Sequence, residues 1–141
     1  MTIFFADMAN FMGLSGKMDP EEISIIQDAY FQCCRRFIDH YGGQIEKYIG
    51  DAVMAVFGIP NLREQDPENA VRAALGIQGG VTELNQTLPL QEPIKVRIGI
   101  NTGEVFVNYR RDGSFIVVGE VVNVTKRLEE SAPNGGILID H

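Results

Sequence analysis

The sequence predicts an α+β domain: a ferredoxin-like βαββαβ sheet with helices on one face, extended by additional C-terminal β and α elements. Three observations carry this. Short apolar segments with strand patterning are interleaved with longer ones whose apolar residues recur at helical spacing. Two of the longer segments open on an acid–proline–acid signal, Asp19-Pro20-Glu21-Glu22 and Asp66-Pro67-Glu68. Gly50-Asp51 joins two β-like runs as a tight hairpin turn.

Each element follows in order. Residues 2–6 form an apolar run rich in β-formers, read as a buried strand. After Asp7 comes a loop or short helix holding Gly13 and Gly16. Asp19 then serves as N-cap, with Pro20 at the first helical position and Glu22 at the third. Ile23, Ile26, Tyr30, Cys33, Phe37 and Tyr41 give that helix one apolar face, and Gly42-Gly43 ends it. Runs 44–49 and 52–57 form the hairpin. A second helix starts at Asp66 and carries Ala70, Val71, Ala74, Ile77, Gln78 and Val81; Gly76, Gly79 and Gly80 count against it. In run 94–100, Val96, Ile98 and Ile100 face one way and Lys95 and Arg97 the other. Asn101-Thr102-Gly103 turns into a strand over 104–109, followed by a strand over 114–118, a helix over 120–131 and a last strand over 137–139. Such a sheet leaves the face away from the first two helices available to a partner.

Composition sets limits on function. The 141 residues suffice for one domain with one core, and 45% apolar with 22% charged is ordinary for a soluble protein. A net charge of −7 argues against a nucleic-acid backbone as partner. Adjacent Cys33 and Cys34 are expected to be free thiols in a reducing compartment. No run approaches a membrane span and no signal peptide is recognised, so a cytoplasmic domain without membrane contact is expected. His40 and His141 are assigned no metal.

Asp7 ends the first strand and Asp51 sits in the hairpin turn, so both carboxylates are expected to meet at one solvent-open sheet edge. Taken alone, each could be an ordinary turn residue. Two carboxylates with a carbonyl and substrate oxygens suit Mg²⁺ or Mn²⁺. Asn123 and Arg127, four apart on the predicted helix, share one face.

Four segments in one order carry a resemblance. They are Phe4-Phe5-Ala6-Asp7-Met8-Ala9-Asn10-Phe11, then Glu46-Lys47-Tyr48-Ile49-Gly50-Asp51-Ala52-Val53-Met54-Ala55-Val56-Phe57-Gly58, then Arg97-Ile98-Gly99-Ile100-Asn101-Thr102-Gly103-Glu104-Val105, and Val118-Gly119-Glu120-Val121-Val122-Asn123-Val124-Thr125-Lys126-Arg127-Leu128. Together they resemble the catalytic domain of class III adenylyl and guanylyl cyclases, of a bacterial, adenylyl-like type. The resemblance implies one such domain over residues 1–141, truncated or reduced at its C-terminus. It implies a conversion of ATP, with GTP the less favoured substrate, into the 3′,5′-cyclic monophosphate and pyrophosphate. Asp7, Asp51 and the carbonyl of Met8 would hold two Mg²⁺ or Mn²⁺ ions. Backbone amides of Met8, Ala9, Asn10 and Phe11 would lie against the phosphates. Lys47, a donor only, would read an acceptor nitrogen of adenine. Asn123 would position the ribose, and Arg127 would stabilise charge on the α-phosphate. The sites would form in a head-to-tail homodimer, Asp7 and Asp51 from one chain and Lys47, Asn123 and Arg127 from the other.

Four departures from the family pattern matter. Ile116 stands where a second base-reading group, Asp or Thr, is usual, which predicts weaker base discrimination. Asn10-Phe11-Met12 lacks the usual glycine and hydroxyl of the phosphate loop. The segment between Gly103 and Gly119 lacks the usual glycine-rich arm, which predicts a weak dimer. No counterpart of the family's later phosphate-binding lysine follows residue 139. These departures favour the alternative, a catalytically weak cyclase-homology domain that binds nucleotide or a partner chain for regulation. Retention of Asp7, Lys47, Asp51, Asn123 and Arg127 opposes it, since an unused buried charge is costly. An RNA-binding ferredoxin-like module is disfavoured by the acidic charge.

Overall fold

The structure, a computed structural model, describes residues 1–9, 16, 18–88 and 93–140. Its elements run β1 (Thr2–Met8), α1 (Pro20–His40), β2 (Gly43–Ile49), β3 (Ala52–Phe57), α2 (Asp66–Thr87), β4 (Val96–Thr102), β5 (Phe106–Tyr109), β6 (Phe115–Val118), α3 (Glu120–Ser131) and β7 (Ile137–Ile139). Five strands form one sheet in the order β2-β3-β1-β4-β7, and β5 and β6 form a separate antiparallel pair. The first four strands thus take the ferredoxin-like order, and β7 adds in parallel to β4.

β1 and β3 are buried at every position, because both of their faces are covered. On one face Phe4, Ala6, Met8, Val53, Ala55, Phe57, Val96, Ile98 and Ile100 pack against α1 and α2. On the other, Ile3, Phe5, Met54 and Val56 pack against Phe115 and Val117 of β6 and Val121 of α3. The expectation of a free far face therefore needs correction: α3 and the β5–β6 pair lie on it. The reason is in the strands, whose large apolar residues on that side must also leave water.

Two helix details differ from the sequence reading. The sheet-facing stripe of α1 is Ile26, Tyr30, Cys34 and Ile38, while Cys33 and Phe37 are only partly buried and meet α2. Asp19 holds the N-cap position with extended backbone, but its side chain makes no capping bond. The glycines that counted against α2 have a packing role. A Cβ on Gly76 would strike the Phe37 ring, and one on Gly80 would lie 2.6 Å from Cys33 Sγ, so these positions set the close approach of α2 to α1. Gly99 does the same on the opposite face, where a Cβ would meet the backbone of α3 at Thr125 and Glu129. Cys33 and Cys34 are free thiols, as expected.

Candidate active site

The site begins where β1 ends. β1 pairs with β4 so that Asp7 stands opposite Arg97. Arg97 Nη2 donates to Asp7 Oδ2 at 2.8 Å and Arg97 Nε to Asp7 Oδ1 at 3.1 Å. This is a two-pronged charge-assisted pair, with the Asp7 side chain 11% exposed and that of Arg97 27%. The solvent-open Asp7 of the sequence reading is thus corrected. Alternation turns Asp7 to the face that α3 covers, and the register sets an arginine over it.

The β1–β3 register, Ala6 opposite Val53, brings the hairpin turn alongside the end of β1. Asp51 is half-buried there, and its pKa is raised first by burial and then by the charge of Asp7, against hydrogen bonds from its own backbone and that of Met8. The two carboxylates therefore lie close enough for the charge of one to act on the other. Among the described residues no three acidic, histidine or cysteine side chains form a ready-made metal cage. A hard cation that shares its ligands with phosphate oxygens fits such a pair. Each Asp7 oxygen keeps lone-pair capacity beyond its bond to Arg97.

The remaining predicted residues are divided. Met8 is buried at the strand end beside Asp51. The Ala9 N–H donates to Lys95 O at 2.7 Å, which corrects its assignment to the phosphates: the β1–β4 ladder runs one residue further and uses that amide. Asn10 and Phe11 lie outside the described residues. Lys47 is half-exposed, 3.6 Å from Glu46 Oε1. Ile116 lies on β6, whose Val117 N–H donates to Glu46 Oε2 at 3.4 Å. Asn123 and Arg127 are exposed on α3, where Arg127 Nη2 lies 3.5 Å from Glu120 Oε1. Among the described residues no hydrogen bond or ion pair links Lys47, Asn123 or Arg127 to Asp7 or Asp51. One chain thus displays the predicted set in separate places.

A family comparison bears on this geometry. The sequence profile described as "Adenylate and Guanylate cyclase catalytic domain" matches residues 1–141. The chain belongs to this family. It is 35% identical over 138 residues to the "Adenylate cyclase" of Anabaena cylindrica, which covers 92% of this chain and 26% of that protein. It therefore spans about a quarter of that relative. Among solved structures, the adenylyl cyclase CyaB from P. aeruginosa superimposes with a TM-score of 0.92 at 31% identity, over 99% of this chain and 76% of that one. The guanylyl cyclase Cya2 superimposes with a TM-score of 0.90 at 34% identity, over 98% of this chain and 73% of that one. Relatives of both nucleotide preferences are thus similar to this cyclase domain. Among the described residues no helix is long and apolar enough to cross a membrane.

The cyclase domain also holds two site residues that the sequence reading did not single out. Arg97 was placed on the outward face of its strand, but its partner depends on register. Glu129 is fully buried on α3, behind Asp7. Arg97 Nη2 lies 3.6 Å from Glu129 Oε1, and Lys126 Nζ lies 3.5 Å from Glu129 Oε2. A signal was present: Val121, Thr125 and Glu129 continue one inner stripe at four-residue spacing.

Burial pushes the Glu129 carboxyl up to about 8, reinforced by the neighbouring Asp7 carboxylate. The unfolded chain ionises this group near its ordinary 4.5, so between about 4.5 and 8 the folded state holds more proton. Stability of the metal-free cyclase domain is therefore expected to fall as pH rises through that window. Glu129→Gln does not titrate, so its stability relative to the parent should improve from pH 5 to pH 8.5. Urea unfolding at a series of pH values checks this; a constant difference between the two proteins would contradict it.

Proposed function

We propose that this cyclase domain uses ATP and works as a head-to-tail homodimer with two shared sites. The closeness of Asp7 and Asp51 at the ends of β1 and the hairpin is the observation that carries the cyclase reading. Asp7, Asp51 and the Met8 carbonyl would hold two divalent ions, which when bound would supply charge neutralisation for the triphosphate and acidify the ribose 3′-hydroxyl. In the reaction the ribose 3′-hydroxyl gives up its proton to water, the 3′-oxygen bonds to the α-phosphorus, the bond from that phosphorus to the bridging oxygen breaks, and pyrophosphate leaves. Arg97, next to Asp7 and partly exposed, also donates from Nη1 to the Glu130 carbonyl at 3.3 Å, so it serves chiefly to hold Asp7 in place beneath α3. From the second chain, Asn123 orients the ribose and Arg127 stabilises charge on the α-phosphate. Both stand exposed on α3, in keeping with a role toward a partner chain.

Preference for ATP rests on Lys47. An ammonium donates to an adenine ring nitrogen but cannot accept from the N–H groups of guanine. Ile116 contributes no polar group, so the preference is modest. Cyclic nucleotide formed from ATP and from GTP, each with Mn²⁺, tests this reading. More cyclic AMP than cyclic GMP is expected. Lys47→Glu should reduce ATP use without creating a strong GTP enzyme, and Ile116→Asp should sharpen the preference for ATP. Equal rates with both nucleotides, in the parent and in Ile116→Asp, would remove the base-reading roles. Tight nucleotide binding without any product would favour the regulatory reading instead.

A further inference from the structure

Strand β2 carries an irregularity that bears on base recognition. Its pairing with β3 runs Ile45 opposite Ala55, then skips to Lys47 opposite Met54 and Tyr48 opposite Val53. Ile45 packs on the core under α1 and α2, and the Tyr48 ring meets Phe31 of α1 at 4.5 Å. Both therefore face the helices. The two residues between them, Glu46 and Lys47, share the opposite face, the side of Met54 and β6. Without the extra residue, Lys47 would stand opposite Val53 and point into the helix-covered core. The bulge is what turns Lys47 outward.

Glu46 sits in that bulge with its side chain 3% exposed. One oxygen accepts the Val117 N–H at 3.4 Å, and the other lies 3.6 Å from Lys47 Nζ. In the β5–β6 ladder Val117 pairs with Val107, so β6 would otherwise present unpaired backbone on its outer edge. Among the described residues this is the one hydrogen bond between the five-stranded sheet and the β5–β6 pair. Lys47 and Ile116 thus stand on separate sheets, and the Glu46 carboxylate, bonded to the Val117 amide beside Ile116, joins those sheets.

We propose that Glu46 is a positioning residue for nucleobase discrimination: by fastening β6 to the β2 bulge it fixes Lys47 and Ile116 relative to each other as two walls of one base pocket. The proposal rests on the reading that Lys47 faces the base. A buried carboxylate is costly unless paired, and here its two partners are the backbone of one wall and the side chain of the other. Removing it while preserving volume should leave the fold and loosen the pocket.

The test compares Glu46→Met, which keeps bulk but not the acceptor, with Glu46→Gln, which keeps an acceptor oxygen for Val117. Lys47→Ala is the control. Dissociation constants for 3′-deoxy-ATP and 3′-deoxy-GTP with Mn²⁺ give the base preference without turnover, and amide exchange at Val117 reports the strap. Glu46→Met is expected to remove most of the modest ATP-over-GTP preference and to speed Val117 amide exchange by about tenfold, the scale of a hydrogen bond to a charged group. Glu46→Gln should restore both to within about twofold of the parent. If Lys47→Ala shifts the preference and Glu46→Met does not, the positioning role is overturned while the base-reading role of Lys47 stands. If neither shifts it, both are overturned. A role in stability alone would lower the unfolding midpoint of Glu46→Met with the preference intact, which also overturns the proposal.

Discussion

Asp51→Asn is expected to lower cyclic nucleotide formation by about 10³-fold while the domain stays folded. The carboxylate is half-buried in the hairpin turn, and burial already works against its ionised form there, so the neutral amide costs the fold little. A cation loses an anionic oxygen ligand that an amide carbonyl replaces poorly. Asp7→Asn should be equally inactive but less stable, because it leaves Arg97 without its two-pronged partner. Mn²⁺ titration followed by water-proton relaxation, alongside urea unfolding, separates the two effects. Wild-type activity and metal affinity in folded Asp51→Asn would rule out the carboxylate pair as the metal site.

Mixing two inactive variants, Asp51→Asn and Arg127→Ala, is expected to recover up to about a quarter of wild-type activity. Random pairing makes about half of the dimers mixed, and each mixed dimer has one site with both lesions and one with neither. Arg127→Ala alone should cost about 10³-fold in rate if the guanidinium stabilises the α-phosphate. It should cost little stability, since that side chain is 67% exposed and its contact with Glu120 is a surface pair. Recovery should rise with protein concentration, as mass action requires for a weak dimer. Two folded, association-competent variants that never complement would mean that the site is not shared between chains.

Much of the architecture was legible in local patterns. The hairpin at Gly50-Asp51, the alternation in β4 and the acid–proline–acid starts of α1 and α2 depend on neighbours within a few residues, where steric and capping preferences act. The motif segments placed Asp7, Lys47, Asp51, Asn123 and Arg127 on the correct elements for the same reason. Local pattern did not suffice for α1, where Cys34 and Ile38 rather than Cys33 and Phe37 face the sheet. Both pairs are apolar, and the choice depended on where α2 came to lie. The glycines of α2 misled in a related way, since their local cost is outweighed by a close helix contact that only the packed pair makes.

The sequence by itself determined the element order and the family, and it named the candidate groups for a metal and a nucleotide. Tertiary structure alone decided how those groups pair. Arg97 lies over Asp7 because two strands 90 residues apart settle in one register. Glu129 joins them because Gly99 lets α3 sit close on β4, and burial there raises its pKa. Lys47 faces outward because β2 gains one residue on β3, a shift that shows only when both strands are in place. Register, helix approach and burial are sums over many distant contacts, none of which is written in the spacing of a motif.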